Sequence, residues 1–407
     1  MKDNFAKKTL FNTIGTFIYF FCQWLTTVLV VRITGYQDAG VFSLAITMTN
    51  IFYFVSLYGV RNFQLSDIEN KYTPGNFFFV RVITTAVAVI LFIITLFFLR
   101  FNSYTAMSCI AYMVFKCLES FTDLIFGNFQ KINKYDSILI SYVAKGITSL
   151  TIFVIFLKIT GNLFFAISLM TLCYFLIILF YDVFIIKRNI TITLEKKGTK
   201  KIIIMCFPLM LFSLIMPYMN FVTRYLIEKV YSSELLGYYS SISIIVVIMS
   251  TLAGCIWLVI IPTLSEMYIN NQHKKIKSFI HKVIIGILIS GILIIILAKL
   301  LGDFGLSLIF NKDILKYSGL LIPVVISSVF LTVSMFLNSV LISFKKNRTV
   351  LYCNLSGAVV CTLIAYPLIV NFNIYGANAS LLIGILVQVI TLYILLIKSL
   401  SENINKF

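Results

Sequence analysis

Three charged residues lie on one side of a single apolar stretch and could form a binding or proton-transfer site. Lys116, Glu119, Ser120 and Asp123 stand at offsets of 0, 3, 4 and 7, which places all four on one helical face. If the stretch crosses a membrane, each charge costs about 2.5–3.5 kcal/mol there, so this face must meet water or other charges. Either the groups bind a charged ligand, or Lys116 pairs with Glu119 and joins neighbouring helices.

A second polar face lies in the apolar stretch that begins at residue 202. Ser213, Pro217, Asn220, Arg224 and Glu228 fall at offsets of 0, 4, 7, 11 and 15. Pro217 and an earlier proline remove backbone hydrogen bonds and predict a bent helix. A bent helix with a polar face suits a moving gate. The alternative is a static i,i+4 ion pair between Arg224 and Glu228.

Weaker polar stripes of hydroxyl and amide groups recur in other apolar stretches, and each alone is typical of helix–helix contacts. Their recurrence in several stretches favours a shared polar cavity. The charged candidates for that cavity are six cations and three acids: Arg32, Arg61, Arg81, Lys116, Lys145 and Arg224, with Glu119, Asp123 and Glu228. The positive surplus suits a polyanionic ligand, and the forked guanidinium suits phosphate. Arg81 has an alternative role, because it could snorkel to the membrane surface.

The composition indicates a polytopic helical membrane protein. Of the 407 residues, 60% are hydrophobic and only 12% are charged, about half the charged fraction of a soluble domain. Unbroken apolar runs exclude a transmembrane barrel, whose strands alternate over about ten residues. Twelve segments are long enough to cross the hydrocarbon core. They are 9–31, 39–60, 77–99, 105–127, 137–157, 163–186, 202–228, 237–263, 283–301, 317–344, 350–370 and 376–397.

The basic segment 187–201 divides these twelve spans into two sets of six, at 1–186 and 202–407. Six of the 33 Lys and Arg residues lie in it, which predicts a cytosolic linker. With both termini cytosolic, the predicted inner segments hold 22 Lys and Arg residues and the outer ones 7. This bias predicts both termini inside and an even number of spans.

Several chemistries lack support in the sequence. The net charge of +18 does not indicate nucleic acid, because no soluble segment interleaves basic and aromatic residues. The eight cysteines form no CxxC pair, and His273 and His281 have no acidic or cysteine cluster nearby. We therefore expect no catalytic residue, no metal site and no cofactor.

Two passages resemble the polysaccharide-transport branch of the multidrug/oligosaccharidyl-lipid/polysaccharide exporter superfamily, which includes flippases of O-antigen and capsule repeat units. Residues 30–64 contain an Arg, a glycine turn, a Gly-x-x-Ser helix start and a Tyr-Gly helix end. Residues 207–244 contain a helix that starts at a proline, followed by Leu-Gly-Tyr-Tyr. These passages occupy equivalent places in the two halves.

The resemblance implies an all-α protein with twelve transmembrane helices in two pseudo-symmetric six-helix bundles around a central cavity. It implies a transporter of the bacterial plasma membrane, not an enzyme, that flips polyprenyl-diphosphate-linked oligosaccharides outward by alternating access. The six cations would bind this cargo. An ion gradient, such as a proton gradient, would act through Glu119, Asp123 or Glu228. Membrane lipids and other polysaccharide-assembly proteins are the further partners implied.

Two other functions remain open from the sequence. A multidrug exporter of the same superfamily would need an acidic or aromatic lumen for cationic drugs, whereas the surplus here is positive. A membrane polymerase or glycosyltransferase would need a sizeable outer loop with several acids, and the longest predicted outer loop, about 302–316, offers only Asp303 and Asp313. The absence of spans beyond the twelve makes a lipid II cargo less favoured than other lipid-linked saccharides.

The predicted topology can be tested with single cysteines in a cysteine-free background. Asn373→Cys should react with a membrane-impermeant thiol reagent in intact cells, and Lys196→Cys should react only after the membrane is permeabilised. The physical reason is the charge bias, since basic loops resist translocation. The opposite labelling pattern would invert the topology.

Overall fold

The computed structural model describes residues 2–404 except 68, 70, 190–197 and 271, and every regular element in that part is a helix. The α-helices run as follows: α1 Lys2–Thr34, α2 Tyr36–Leu57, α3 Val60–Ser66, α4 Pro74–Leu99, α5 Ser103–Lys131, α6 Tyr135–Thr160, α7 Leu163–Ile177, α8 Val183–Asn189, α9 Thr199–Val230, α10 Ser233–Ile269, α11 His273–Ile309, α12 Leu321–Ser343 and α13 Asn347–Ile404. A π-helical turn, Ile178–Asp182, joins α7 to α8, and a 3-10 helix, Lys312–Leu320, precedes α12.

The predicted class is confirmed, because the chain is an all-α polytopic membrane protein. Among the described residues, ten helices are long and apolar enough to cross a membrane. Two further crossings follow from α5, which is not among the ten, and from α13, which is counted once among them. The charged α5 has the required length, and α13 contains two helices merged across a kink at Asn373, where φ is 54° and ψ is −135°. Each of the twelve predicted spans thus lies mainly on helix, although 39–60, 163–186 and 317–344 each cross a break or a change of helix type.

Several helices extend beyond the predicted spans. The span predicted at 283–301 is the middle of α11, a helix of 37 residues and about 55 Å. The outer loop predicted at about 302–316 is largely helical, since α11 reaches Ile309 and the 3-10 helix begins at Lys312. The cytosolic segment predicted at 61–76 contains most of α3. Part of the basic linker, 190–197, lies outside the described residues, and the predicted division of the chain at 187–201 stays a prediction.

The chain forms two compact units, Met1–Pro217 and Tyr218–Phe407, which we call unit 1 and unit 2. In unit 1, α5 is the central helix and packs against α2, α3, α4, α6 and α7. It therefore carries its polar face, Lys116 to Asp123, into the interior of the unit and not to lipid. Burial of Phe115, Ser120 and Phe126, each at most 1% exposed, fixes the rotation of α5 about its axis.

In unit 2, α12 packs against α10, α11 and α13, and amide side chains join it to α13. Asn354 donates to Asn338 at 2.7 Å, and Gln388 donates to the Asn354 carbonyl at 3.3 Å. Such interhelical amide bonds replace the hydrophobic driving force that lipid does not provide. The two halves of α13 meet at Gly357 and Gly384, where a Cβ on Gly357 would lie 2.4 Å from the Gly384 carbonyl oxygen.

We expect Gly357→Ala to destabilise unit 2, because the added methyl group meets backbone that cannot move aside. Overpacking of this kind costs about 1–3 kcal/mol. The matched control is Gly286→Ala in α11, where a Cβ has open space and the better helix former should be neutral or stabilising. Thermal unfolding of the purified proteins in detergent measures both. Equal melting temperatures for the two variants would contradict the close contact.

Candidate functional site

The centre of the site is Asp123 of α5, whose two carboxylate oxygens each accept from a different arginine. Arg61 of α3 donates to Oδ1 at 3.0 Å, and Arg81 of α4 donates to Oδ2 at 3.0 Å. The Arg81 side chain is fully buried, whereas the side chains of Arg61 and Asp123 are each 20% exposed. Arg81 therefore does not snorkel to the surface. One carboxylate balances two guanidinium groups, so this cluster keeps one positive charge.

A backbone break between α2 and α3 positions Arg61. Tyr58 and Gly59 both have left-handed conformations, with φ of 51° and 68°, and they end α2 before α3 turns away. Gly59 also faces Leu209, whose side chain would lie 2.5 Å from an added Cβ. Only glycine meets both demands without strain. The break thus brings Arg61 to Asp123 although 62 residues separate them in sequence.

The end of α2 also holds Arg81. Its guanidinium donates to the Ser56 carbonyl at 2.6 Å, and Thr84 donates to the same oxygen at 2.8 Å. The Ser56 hydroxyl lies 2.7 Å from the Thr85 hydroxyl and 2.8 Å from that of Ser120. Arg81 Nε is buried and has no hydrogen-bond partner among the described atoms. The arginine is therefore well anchored through its terminal nitrogens but incompletely satisfied.

Lys116 and Glu119 form a second cluster one turn away on α5. The ammonium of Lys116 donates to Glu119 Oε2 at 2.5 Å, as the i,i+3 spacing allows. Tyr19 of α1 donates its hydroxyl to the other carboxylate oxygen of Glu119. The Lys116 ammonium also lies over the Tyr53 ring, 4.9 Å from its centroid. This pair is less accessible than Arg61, with side chains 12% and 9% exposed.

The third cluster contains Asp182, an acid that the sequence analysis did not select. Lys145 of α6 pairs with Asp182 in the π-helical turn, and both side chains are fully buried. Ser141 donates to Asp182 at 2.7 Å, and Lys145 donates to Thr122 of α5 at 3.0 Å. The sequence did contain a signal for Asp182, because it is an aspartate inside the predicted span 163–186. Acidic residues inside membrane spans usually have a functional role.

Six of the nine candidates therefore lie in three clusters that α5 connects within unit 1: Arg61, Arg81, Lys116, Lys145, Glu119 and Asp123. With Asp182 the clusters contain four cations and three acids, which leaves one positive charge. That charge lies at the most exposed cluster, the one centred on Asp123. An anion is the ligand that this arrangement can accept.

The other three candidates lie elsewhere. Arg32 is exposed in the last turn of α1. In unit 2, Arg224 is partly exposed, donates to the Asn220 side chain at 3.0 Å and lies over the Tyr239 ring. Glu228 accepts from Ser233 at 2.7 Å. Arg224 and Glu228 thus bind other partners, and the i,i+4 ion pair that their spacing allowed is not formed.

No group of three or more His, Cys, Asp and Glu side chains among the described residues could hold a metal ion. The charged groups of the site pair with one another and with hydroxyl and carbonyl groups. The site can therefore exchange an internal ion pair for an external charge or move a proton between paired groups.

Solved structures of other membrane proteins have the same fold as this chain. An inward-facing multidrug resistance MATE family transporter of the MOP superfamily superposes with a TM-score of 0.74 and 14% identity, covering 96% of both chains. The lipid II flippase MurJ, in an inward closed conformation, gives a TM-score of 0.75 and 15% identity, covering 97% of this chain and 90% of that one. The chain therefore has the fold of the MATE transporters and of MurJ.

The chain belongs to the polysaccharide biosynthesis protein family, whose model matches residues 29–290. It is also similar to the capsular polysaccharide biosynthesis protein CapF of Staphylococcus aureus, with 24% identity over 385 residues that cover 91% of this chain and 94% of the relative. The resemblance recognised in residues 30–64 and 207–244 is thereby confirmed.

Asp123→Asn should destabilise unit 1 by about 3–5 kcal/mol, because it leaves buried Arg81 beside another cation without a counter-charge. The control is Asp313→Asn, which removes a partner of Lys316 from a pair whose side chains are 67% and 62% exposed. Exposed pairs contribute at most about 1 kcal/mol. Thermal unfolding in detergent compares the stabilities of the Asp123→Asn and Asp313→Asn variants. Equal stabilities would show that Asp123 does not hold the two arginines.

Proposed function

We propose that the protein is a flippase that moves polyprenyl-diphosphate-linked oligosaccharide repeat units from the inner to the outer leaflet of the bacterial plasma membrane. It works by alternating access and supplies the assembly of a surface polysaccharide. The observation that carries this proposal is the pair of arginines that share Asp123. They leave one uncompensated positive charge at a partly accessible site, in a member of a polysaccharide biosynthesis family.

The diphosphate is the part of such a cargo that this cluster can recognise. Arg61 is 20% exposed, donates to only one carboxylate oxygen and also hydrogen-bonds to Tyr142, so other N–H groups of its guanidinium can turn towards an incoming phosphate. Asp123 then remains the counter-ion of Arg81, and no buried charge is left unpaired. In unit 2, Arg224 offers a second partly exposed guanidinium for the same chemistry. These positively charged guanidinium groups would repel a cationic drug, which argues against multidrug export.

The remaining assignments follow the same proposal. Both termini are cytosolic, no cofactor is needed, and a proton gradient drives transport, with Glu119, Asp123 and Glu228 as acids that can take part. Lys116 is nearly buried and paired with Glu119, so we assign it to the coupling between the two clusters of α5. CapF, at 24% identity, supports a capsule precursor among the possible cargoes.

Arg61→Lys and Arg224→Lys should each slow flipping although both keep the charge, because lysine cannot hold two phosphate oxygens at once. One lost charge-assisted hydrogen bond costs about 1.5–3 kcal/mol, or about tenfold to a hundredfold in affinity. The assay follows a fluorescent polyprenyl-diphosphate-linked trisaccharide across the membrane of proteoliposomes, with an impermeant quencher outside.

The matched control is Arg348→Lys, an exposed arginine at the start of α13 that should flip cargo as the wild type does. Wild-type rates for both Arg61→Lys and Arg224→Lys would remove the diphosphate assignment. A wild-type protein that leaves the labelled lipid in its original leaflet would contradict the proposed function itself.

A further inference from the structure

One end of unit 2 carries a group of cations that the charge clusters described above do not include. They lie in the first turns of α11 and in the turn between α12 and α13, and we call them the basic rim: Lys274, Lys275, Lys277, Lys345, Lys346 and Arg348. All are exposed except Lys346, which is half-buried. None of them forms an ion pair with a described residue. In unit 1, by contrast, each cation of the three clusters has an acid beside it.

Aromatic rings hold the two basic segments together. Phe344, which directly precedes Lys345, stacks on Tyr268 in the last turn of α10, with ring centroids 4.0 Å apart and an interplanar angle of 14°. Tyr268 also meets the ring of His273 edge-on at 5.9 Å, and Lys274 follows His273 in the chain. The basic segments are distant in sequence, but they therefore lie on either side of one aromatic ring.

The turn between α12 and α13 is fixed by its own backbone. The N–H groups of Lys345 and Lys346 donate to the carbonyls of Ile342 and Leu341, each at 2.9 Å. Lys345 has a φ of 59°, in the left-handed region that favours glycine. A lysine at this position gives the turn no conformational advantage, so its value to the protein lies in its side chain.

Little within the chain compensates the charge of the basic rim. Glu266 is the only acid in 264–282, and 344–348 contains none. His273 is 6% exposed, and neither of its ring nitrogens has a hydrogen-bond partner among the described atoms. A neutral imidazole keeps one N–H donor, which is costly to bury without an acceptor. The basic rim thus combines excess positive charge with an available donor, which is the complement of a phosphate group.

The surface that continues from the basic rim is apolar. Further along α11, Ile285, Leu288 and Ile289 are exposed side chains of a helix that is long and apolar enough to cross a membrane. Ile285 follows Lys277 by about 12 Å along the helix axis. A ligand with a phosphate head and acyl chains would match both surfaces at once. A soluble anion or an acidic protein segment would match only the basic rim.

We propose that the basic rim binds the head group of an anionic phospholipid, whose acyl chains lie along α11. Basic segments next to a membrane-spanning helix attract anionic lipids in this way. The phosphate would contact lysines of both segments and so join α11 to the turn between α12 and α13. This site lies in unit 2 and uses neither Arg61 nor Arg224, so it does not depend on the proposed cargo.

The test measures binding of a fluorescent phosphatidylglycerol to the purified full-length protein in a non-ionic detergent, by fluorescence anisotropy. The triple variant Lys274→Gln, Lys277→Gln and Lys345→Gln should bind this lipid about a hundredfold more weakly, because each lysine near an anionic head group contributes about fivefold. Fluorescent phosphatidylcholine, which has no net charge, should bind the wild type as weakly as phosphatidylglycerol binds the triple variant.

The matched control is the triple variant Lys187→Gln, Arg188→Gln and Lys200→Gln, which removes the same charge from exposed positions of unit 1. It should keep the wild-type affinity for phosphatidylglycerol. Equal losses in the two triple variants would show a response to net charge alone and overturn the site. Thermal unfolding checks that all variants are folded, as expected for exposed side chains.

Three further outcomes would overturn the proposal. The first is a wild-type affinity for phosphatidylglycerol in the Lys274, Lys277 and Lys345 variant. The second is complete displacement of the lipid by inorganic phosphate at its concentration in cells, which would make the basic rim a site for the free anion. The third is tighter binding of a polyglutamate peptide than of the lipid, which would assign the basic rim to an acidic protein partner. None of these measurements requires cargo or transport.

Discussion

The interior of unit 1 depends on the requirement that a charge inside a membrane protein must have a counter-charge or water. Asp123 meets this requirement for two cations at once, because each of its oxygens accepts from a different arginine. Its carboxylate joins α3, α4 and α5, and a hydrogen bond of 2.8 Å from Gln64 of α3 to Asn128 of α5 adds to this connection. The Asp123 cluster keeps one positive charge, whereas the pairs of Lys116 with Glu119 and Lys145 with Asp182 balance internally.

Irregular backbone places these charges. Arg61 follows the left-handed break at Tyr58 and Gly59, and Asp182 ends the π-turn between α7 and α8. In a regular α-helix, the direction of each side chain is set by the repeat of 3.6 residues per turn. A break or an extra residue allows one side chain to leave that pattern and meet a partner on another helix. The same irregularities are the points where a helix can change register at modest cost.

The sequence predicted the helices well, but it predicted the ion pairs between charged side chains only in part. Hydropathy identifies spans because unsatisfied backbone in lipid is too costly for any other structure, and this constraint acts locally. The pair of Lys116 and Glu119 was foreseeable from i,i+3 spacing. The partners Arg61 with Asp123 and Lys145 with Asp182 are 62 and 37 residues apart, and only the packing of α5 against its neighbours brings them together. Asp182 was missed although it is an acid inside a predicted span, and its pairing with Lys145 depends on the π-turn between α7 and α8.

The degree of burial divides the charged clusters by what each can do. To bind an anionic cargo, a cation must exchange an internal partner for an external one, and this exchange costs least where water already screens the pair. Arg61 fulfils that condition, and Arg81 cannot leave Asp123 without exposing a fully buried charge. Lys145 is enclosed to the same degree, so its pair with Asp182 cannot make this exchange without a similar cost. Exposure thus singles out Arg61 among the paired cations of unit 1 as the group that an anionic ligand could reach at the lowest cost.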